Sequence, residues 1–213
     1  FLAGLRELTT RLGIVLIFDE IISYRVAMGG MQSIVGVLPD LTCVGKFIGG
    51  TIPCSAFGGR ADIMDVFNPT KAIAYHGGTF NANPLAMIAG QVTLEHLTSA
   101  VYARLDVLGE RLRTGLRAVL KNTGVTGQVL GRASMFYLHL HNRELSDYRS
   151  SVETAEISEL KNRIRLSMAA RGVLVTPMIA GSLSTPMNET EIDMFIDVFK
   201  AALQENLKLE VSL

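Results

Sequence analysis

Cysteine is scarce. The two present, Cys43 and Cys54, have a spacing that suits neither a metal site nor a redox pair, so both are read as reduced thiols in a cytoplasmic-type compartment. Charge is scarce as well: charged residues make up 19% of 213, with 20 acidic and 20 basic side chains. The resulting formal net charge of zero gives no electrostatic reason to expect nucleic acid or an acidic membrane as partner. No apolar run approaches the roughly 20 residues that span a bilayer. No basic start followed by an apolar stretch marks a signal peptide, so the glycosylation pattern Asn188-Glu189-Thr190 is read as unused. The chain opens without a methionine, on Phe1-Leu2-Ala3-Gly4 in what reads as the tail of a helix, and a fragment is expected. What is abundant is apolar residues. At 48% they exclude disorder and can fill a core.

Residues 2–12 read as a helix, and Ile14 to Phe18 is a continuous apolar run of strand length. Without alternation, such a run suits a strand buried on both faces, hence a parallel sheet covered by helices. Asp40 to Val44 and Ser55 to Gly59 are further strand candidates, and Ala61 to Phe67 a short helix. Asn83-Pro84 starts a helix that runs to about Leu97, with Asn as N-cap and Pro in the first turn. The next spans about Tyr102 to Lys121, where Leu105, Leu108, Leu112, Leu116 and Leu120 form a core stripe. After the turn signals Gly124, Gly127 and Gly131 the pattern changes: strands at Met135 to His141 and Val173 to Thr176, helices at Ala155 to Ala170 and Glu189 to Gln204. The expected architecture is an α/β large domain over residues 1–122, mostly parallel sheet with helices on both faces. A small α+β domain follows over residues 123–213.

Three features could carry chemistry. Asp19, followed by Glu20, ends the first apolar run, where open α/β sheets place their ligands. Taken alone, either carboxylate could simply cap the next turn. Lys46 ends the second strand, in Val44-Gly45-Lys46-Phe47, with Gly49-Gly50 letting the backbone turn away. It is not a nucleotide-binding lysine, because no Ser or Thr follows it and no glycine lies five residues before Gly45. Gly77-Gly78-Thr79-Phe80-Asn81 leads into a helix N-terminus that can hold a phosphate. An amine beside a carboxylate in a glycine-lined crevice suits an aldehyde cofactor: the lysine makes the Schiff base and the carboxylate keeps a ring nitrogen protonated.

In this order the three features resemble the class III, fold-type-I pyridoxal-phosphate family, which includes aminotransferases and glutamate-1-semialdehyde aminomutase. The match is close from Ile17 to Gly90. It is carried by Phe18-Asp19-Glu20-Ile21, Tyr24-Arg25-Val26, Gly36-Val37-Leu38-Pro39-Asp40-Leu41-Thr42, Gly45-Lys46, Ala56-Phe57-Gly58-Gly59-Arg60 and His76-Gly77-Gly78-Thr79-Phe80-Asn81. From Gly172 to Ile192 it is weaker, and together these segments are similar to the second half of such an enzyme. The resemblance implies pyridoxal 5'-phosphate as cofactor, Lys46 as its Schiff-base lysine and proton shuttle, and Asp19 as the partner of the pyridinium nitrogen. It also implies Ile21 against the ring face, and Thr79 reaching the phosphate of a cofactor held mainly by the neighbouring subunit, hence a homodimer with a shared site. The implied activity is transfer of an amino group between an amino acid and an oxo acid.

The chain departs from the family at Thr51 and Ser55, where glycine is usual. Pro177-Met178-Ile179-Ala180 lacks the Phe-Glu-Ala segment of the aminomutases, while Ser182-Leu183-Ser184-Thr185-Pro186 is similar to the β-amino-acid branch. Both favour a transaminase, with the aminomutase as alternative. The phosphate loop and the stacking aromatic of the family would precede residue 1, which leaves a truncated, non-catalytic subunit-binding module as a third reading. The other polar residues read as structural. His139 and His141 alternate on a solvated strand face, with no metal site expected. His76 reads as a loop residue, and Arg25 and Arg60 as structural, with Arg25 kept as a candidate carboxylate clamp.

Overall fold

The computed structural model describes residues 1–71 and 73–211, with side chains described through residue 207 in the last helix. Two compact units divide the chain, Phe1–Tyr102 and Ala103–Leu213. The change of character read at residues 122/123 instead marks the end of a helix whose packing face serves the second unit.

In the first unit, α1 (Leu2–Leu12) stops at Gly13, whose left-handed φ of 64° terminates the helix. The strands β1 (Ile17–Asp19), β2 (Leu41–Gly45) and β3 (Ser55–Gly59) form one sheet with β2 in the middle. β1 pairs with β2 in parallel, Asp19 opposite Cys43, and β3 pairs antiparallel, Ser55 opposite Gly45. The sheet is thus mixed rather than wholly parallel. β1 is shorter than its apolar run, and Ile14, Val15 and Ile17 are exposed, so burial on both faces does not hold for this segment within the chain.

Asp40 ties the unit together. Its carboxylate accepts from the Leu16 backbone N–H at 2.7 Å and pairs with Arg6 and Arg60, each at 3.0 Å. The Leu16 amide and the Arg60 guanidinium hold its carboxyl well below the usual range, at about 2. Arg60, read as structural, is therefore engaged with Asp40, and also with Asp62. Short α2 (Gly30–Val35) and α3 (Ala61–Met64) follow β1 and β3, and α4 (Pro84–His96) begins at Asn83, whose side chain accepts from the Leu85 N–H at 2.9 Å.

In the second unit, β4 (Gln128–Leu130), β5 (Met135–His139) and β6 (Ala180–Ser182) form an antiparallel sheet with β5 central. The unit also contains most of α5 (Ser99–Thr123), with α6 (Tyr148–Ser151), α7 (Ala155–Ala170) and α8 (Glu189–Val211). The leucine stripe of α5 is buried along its length, with Ile164 and Met168 of α7 and Ile192, Phe199 and Leu203 of α8 completing the core. Arg113 is buried with them, and its guanidinium donates to the Ala133 and Met135 carbonyls at 2.6 and 2.8 Å. Val173 to Thr176 is not a strand. Gly172 turns there at φ 84°, and among the described residues no neighbouring strand offers a ladder.

His139 and His141 correct a further expectation: they are 4% and 7% exposed, not solvated. Their strand face is covered by Lys161 of α7, itself 1% exposed, whose Nζ donates to the Leu138 carbonyl at 2.8 Å and to both Glu153 carboxylate oxygens at 2.9 and 3.1 Å. Burial pushes the Lys161 pKa down, with Glu153 opposing the shift.

Candidate functional site

The parallel pairing of β1 and β2 brings their C-terminal ends side by side, where ligands meet an open α/β sheet. β2 delivers Gly45 and then Lys46, which turns the chain out of the sheet at φ 55°. A non-glycine residue held in this region stores of the order of 1–3 kcal/mol, a strain common at functional sites. The 3-10 turn Lys46–Gly49 that follows is pinned from outside by α4. Gly90 of that helix lies against the Ile48 carbonyl, and a side chain on Gly50, itself at φ 67°, would meet the Ala89 carbonyl at 2.9 Å. Both glycines permit backbone-to-backbone approach. Thr51 and Ser55 impose no left-handed conformation on the loop: neither has positive φ, and Ser55 continues into β3.

Ile21 packs against Gly45, where an added Cβ would meet its side chain at 3.5 and 3.6 Å. Ile21 and Lys46 line one open cavity of about 1450 Å3, together with Phe57, Tyr75, His76 and Asn81. Among the described residues the Lys46 amine has no hydrogen-bond or acidic partner.

Asp19 and Thr79 are exposed and do not line the cavity; each lies two residues before one that does, Ile21 and Asn81. Asp19 Oδ1 accepts from the Ile21 N–H at 3.1 Å. Glu20 has the opposite fate, as the pleat of an extended chain requires of neighbouring residues. It is 2% exposed, and its carboxylate accepts from the Met31 and Gln32 N–H groups at 2.6 and 2.8 Å, capping the first turn of α2. The acidic pair is therefore divided. Glu20 caps a helix; Asp19 keeps an oxygen without a hydrogen bond among the described residues. Arg25 is half-buried and lies outside the cavity lining; burial lowers its pKa.

An aromatic cluster went unread in the sequence. Phe57, Phe67 and His76 pack edge to face with centroids 5.2–5.8 Å apart, and all three line the cavity. Three residues so distant in sequence give no local signal of meeting.

The cavity lining fits an aldehyde- and phosphate-bearing cofactor. It offers the Lys46 amine, unpaired among the described residues, the aliphatic Ile21 and the Asn83-capped start of α4, while the Asp19 carboxylate stands at the adjoining strand end outside the lining.

Residues 1–202 match the family model described as aminotransferase class-III. A glutamate-1-semialdehyde 2,1-aminomutase of Opitutus terrae is 41% identical over 209 residues, covering 96% of this chain and 48% of the relative. Among solved structures, an omega-transaminase from Sphaerobacter thermophilus superposes with a TM-score of 0.94 at 51% identity, over 96% of this chain and 47% of that one. A beta-phenylalanine aminotransferase from Variovorax paradoxus superposes with a TM-score of 0.87 at 31% identity, over 98% and 48%. The chain spans about half the length of the curated relatives it matches.

Proposed function

The chain belongs to the class-III aminotransferase family, and on that premise we propose that it supplies the lysine-bearing half of a pyridoxal-phosphate-dependent transaminase. The observation that carries this reading is the Lys46 amine, unpartnered among the described residues and held at a strained φ of 55° in a cavity that it shares with Ile21. The substrates proposed are an amino acid, of the β-amino-acid class, and an oxo acid.

When bound, pyridoxal phosphate supplies an aldehyde that condenses with amines and a protonated ring that accepts electrons from a substrate carbon losing its proton. In this proposal Lys46 would hold the cofactor through its amine and, when that amine is free, would take the substrate proton and return it. The Asp19 oxygen that has no hydrogen bond among the described residues would serve to keep a ring nitrogen protonated, while the other oxygen's bond to the Ile21 N–H orients the carboxylate. Ile21, which lines the cavity, would shield a bound ring from water on one face. Thr79, exposed in the turn before α4, offers its hydroxyl to the phosphate of a partner subunit's cofactor, which makes the functional form a homodimer.

Intramolecular amino transfer is the second reading, favoured by the name of the Opitutus terrae relative and opposed by the missing Phe-Glu-Ala segment after Pro177. Turnover that requires an added oxo-acid acceptor supports the transaminase; acceptor-independent isomerisation of the semialdehyde overturns it. We assign the protein to the cytoplasm. Cys43 and Cys54 are free thiols, and among the described residues no helix is long and apolar enough to cross a membrane.

A further inference from the structure

We propose that His139, His141 and Glu153 form a binding site for a divalent transition-metal ion of the zinc class, inside the second unit and with no residue in common with the lining of the Lys46 cavity. One ring nitrogen from each histidine and one carboxylate oxygen of Glu153 lie within 4.8 Å of one another. Ligands on tetrahedral zinc stand roughly 3.3 Å apart, so modest side-chain rotations close the set.

Two independent observations point to a ligand. First, both ring nitrogens of His141 and Nδ1 of His139 are buried without a hydrogen-bond partner among the described residues, an arrangement that native interiors avoid. His141 is 7% exposed, and a neutral imidazole there leaves both a donor and an acceptor unanswered. Second, Glu153 is already aimed and held. Its side chain enters from the loop before α7, with Oε1 3.7 Å from His139 Nδ1. It accepts three hydrogen bonds, from the Leu140 N–H at 3.3 Å and from Lys161 Nζ at 3.1 and 2.9 Å. A carboxylate offers about four acceptor positions, so one remains for an ion. The ammonium of Lys161 then acts as outer-shell support for a ligating carboxylate, as such sites commonly need. The stacked ring of Tyr137, 4.3 Å from that of His139, fixes the imidazole plane.

Two imidazoles and one carboxylate, without thiolate, select borderline divalent ions over soft copper(I) and over calcium or magnesium. Three protein ligands leave one position for water. Bound there, the ion would clamp the end of β5 to the segment that leads into α7.

The test uses the chelator-stripped chain titrated with zinc chloride, followed by calorimetry, thermal unfolding and histidine-resolved NMR. One equivalent of zinc should bind and raise the Tm. It should shift the ring signals of His139 and His141 while leaving those of His76 and His96 in place. His141→Gln and Glu153→Gln should each weaken binding by at least the roughly 10–100-fold that loss of an outer-shell partner costs. The NMR arm needs no variant, so a substitution that unfolds the chain does not blunt the test. Absence of binding, zinc shifts confined to His76 or His96, or a response to magnesium equal to that for zinc would each overturn the proposal.

Discussion

Gly90 lies so close to Ile48 that an added Cβ would stand 2.3 Å from the Ile48 carbonyl oxygen. The helix α4 and the turn after Lys46 therefore touch backbone to backbone, and the position of the amine depends on a residue with no chemistry of its own. Gly90→Ala must push the two apart, at a cost of about 1–3 kcal/mol of stability. The expected outcome is a lower Tm together with weaker retention of pyridoxal phosphate, read by dialysis and absorbance. A variant with unchanged cofactor affinity would refute the coupling.

Lys46 faces a cavity and pays backbone strain, so its removal should be kind to the fold. Lys46→Ala is expected to abolish the pyridoxyl label that borohydride fixes, and with it transamination, while the Tm stays near that of the unaltered chain. Lys46→Gly relieves the φ of 55° and should be more stable than Lys46→Ala by about 1 kcal/mol. Peptide mapping after reduction is the decisive measurement. A label on Lys71 with Lys46 unmodified would sink the assignment.

The adjacent acids should fail in opposite ways. Asp19→Ala, at an exposed position, should change stability by no more than about 0.5 kcal/mol. It should nevertheless reduce turnover by several powers of ten, on the order of 4 kcal/mol of barrier. Glu20→Ala uncaps α2 and should cost about 1–2 kcal/mol of stability, with turnover following the folded fraction. Denaturant melts beside steady-state rates separate the two. Equal losses of stability would contradict the division seen here.

Asp40 makes the first unit acid-sensitive in a defined window. Its carboxyl titrates at about 2 in the folded chain against 3.8 ordinarily, so the ionised form stabilises the fold. The contribution is complete above about pH 4 and is lost as the pH falls through about 2. Asp40→Asn should lower the Tm at neutral pH and flatten the Tm-against-pH curve over that window. An unchanged slope would show that the Arg6 and Arg60 pairs do not matter to folding.

How legible these features were depended on how local their causes are. α4 was readable from Asn83-Pro84 because a cap and a ring-fixed φ act within one turn, and α7 began and ended where its sequence pattern does. The place of Lys46 at a strand end was readable because the strand, the lysine and the glycine pair fall within one short run. Val173 to Thr176 has the residues of a strand, but a strand needs a neighbour, and no residue in that segment announces whether one exists. The same limit applies to His139 and His141. Alternation shows that they share a face, whereas only the distant Lys161 and Glu153 decide that the face is closed. In Asp19-Glu20 the pleat required divergence, yet which acid turned inward depended on the Met31 and Gln32 amides eleven and twelve residues away.

Lys161 has consequences for the bench. Its Nζ makes three hydrogen bonds, one for each of its protons, and the residue is 1% exposed. An amine so occupied is shielded from acylating reagents and from free pyridoxal while the second unit stays folded. Modification of Lys161 would thus serve as a chemical clock for the opening of that unit, and its silence in a native digest would vouch for any label found on Lys46.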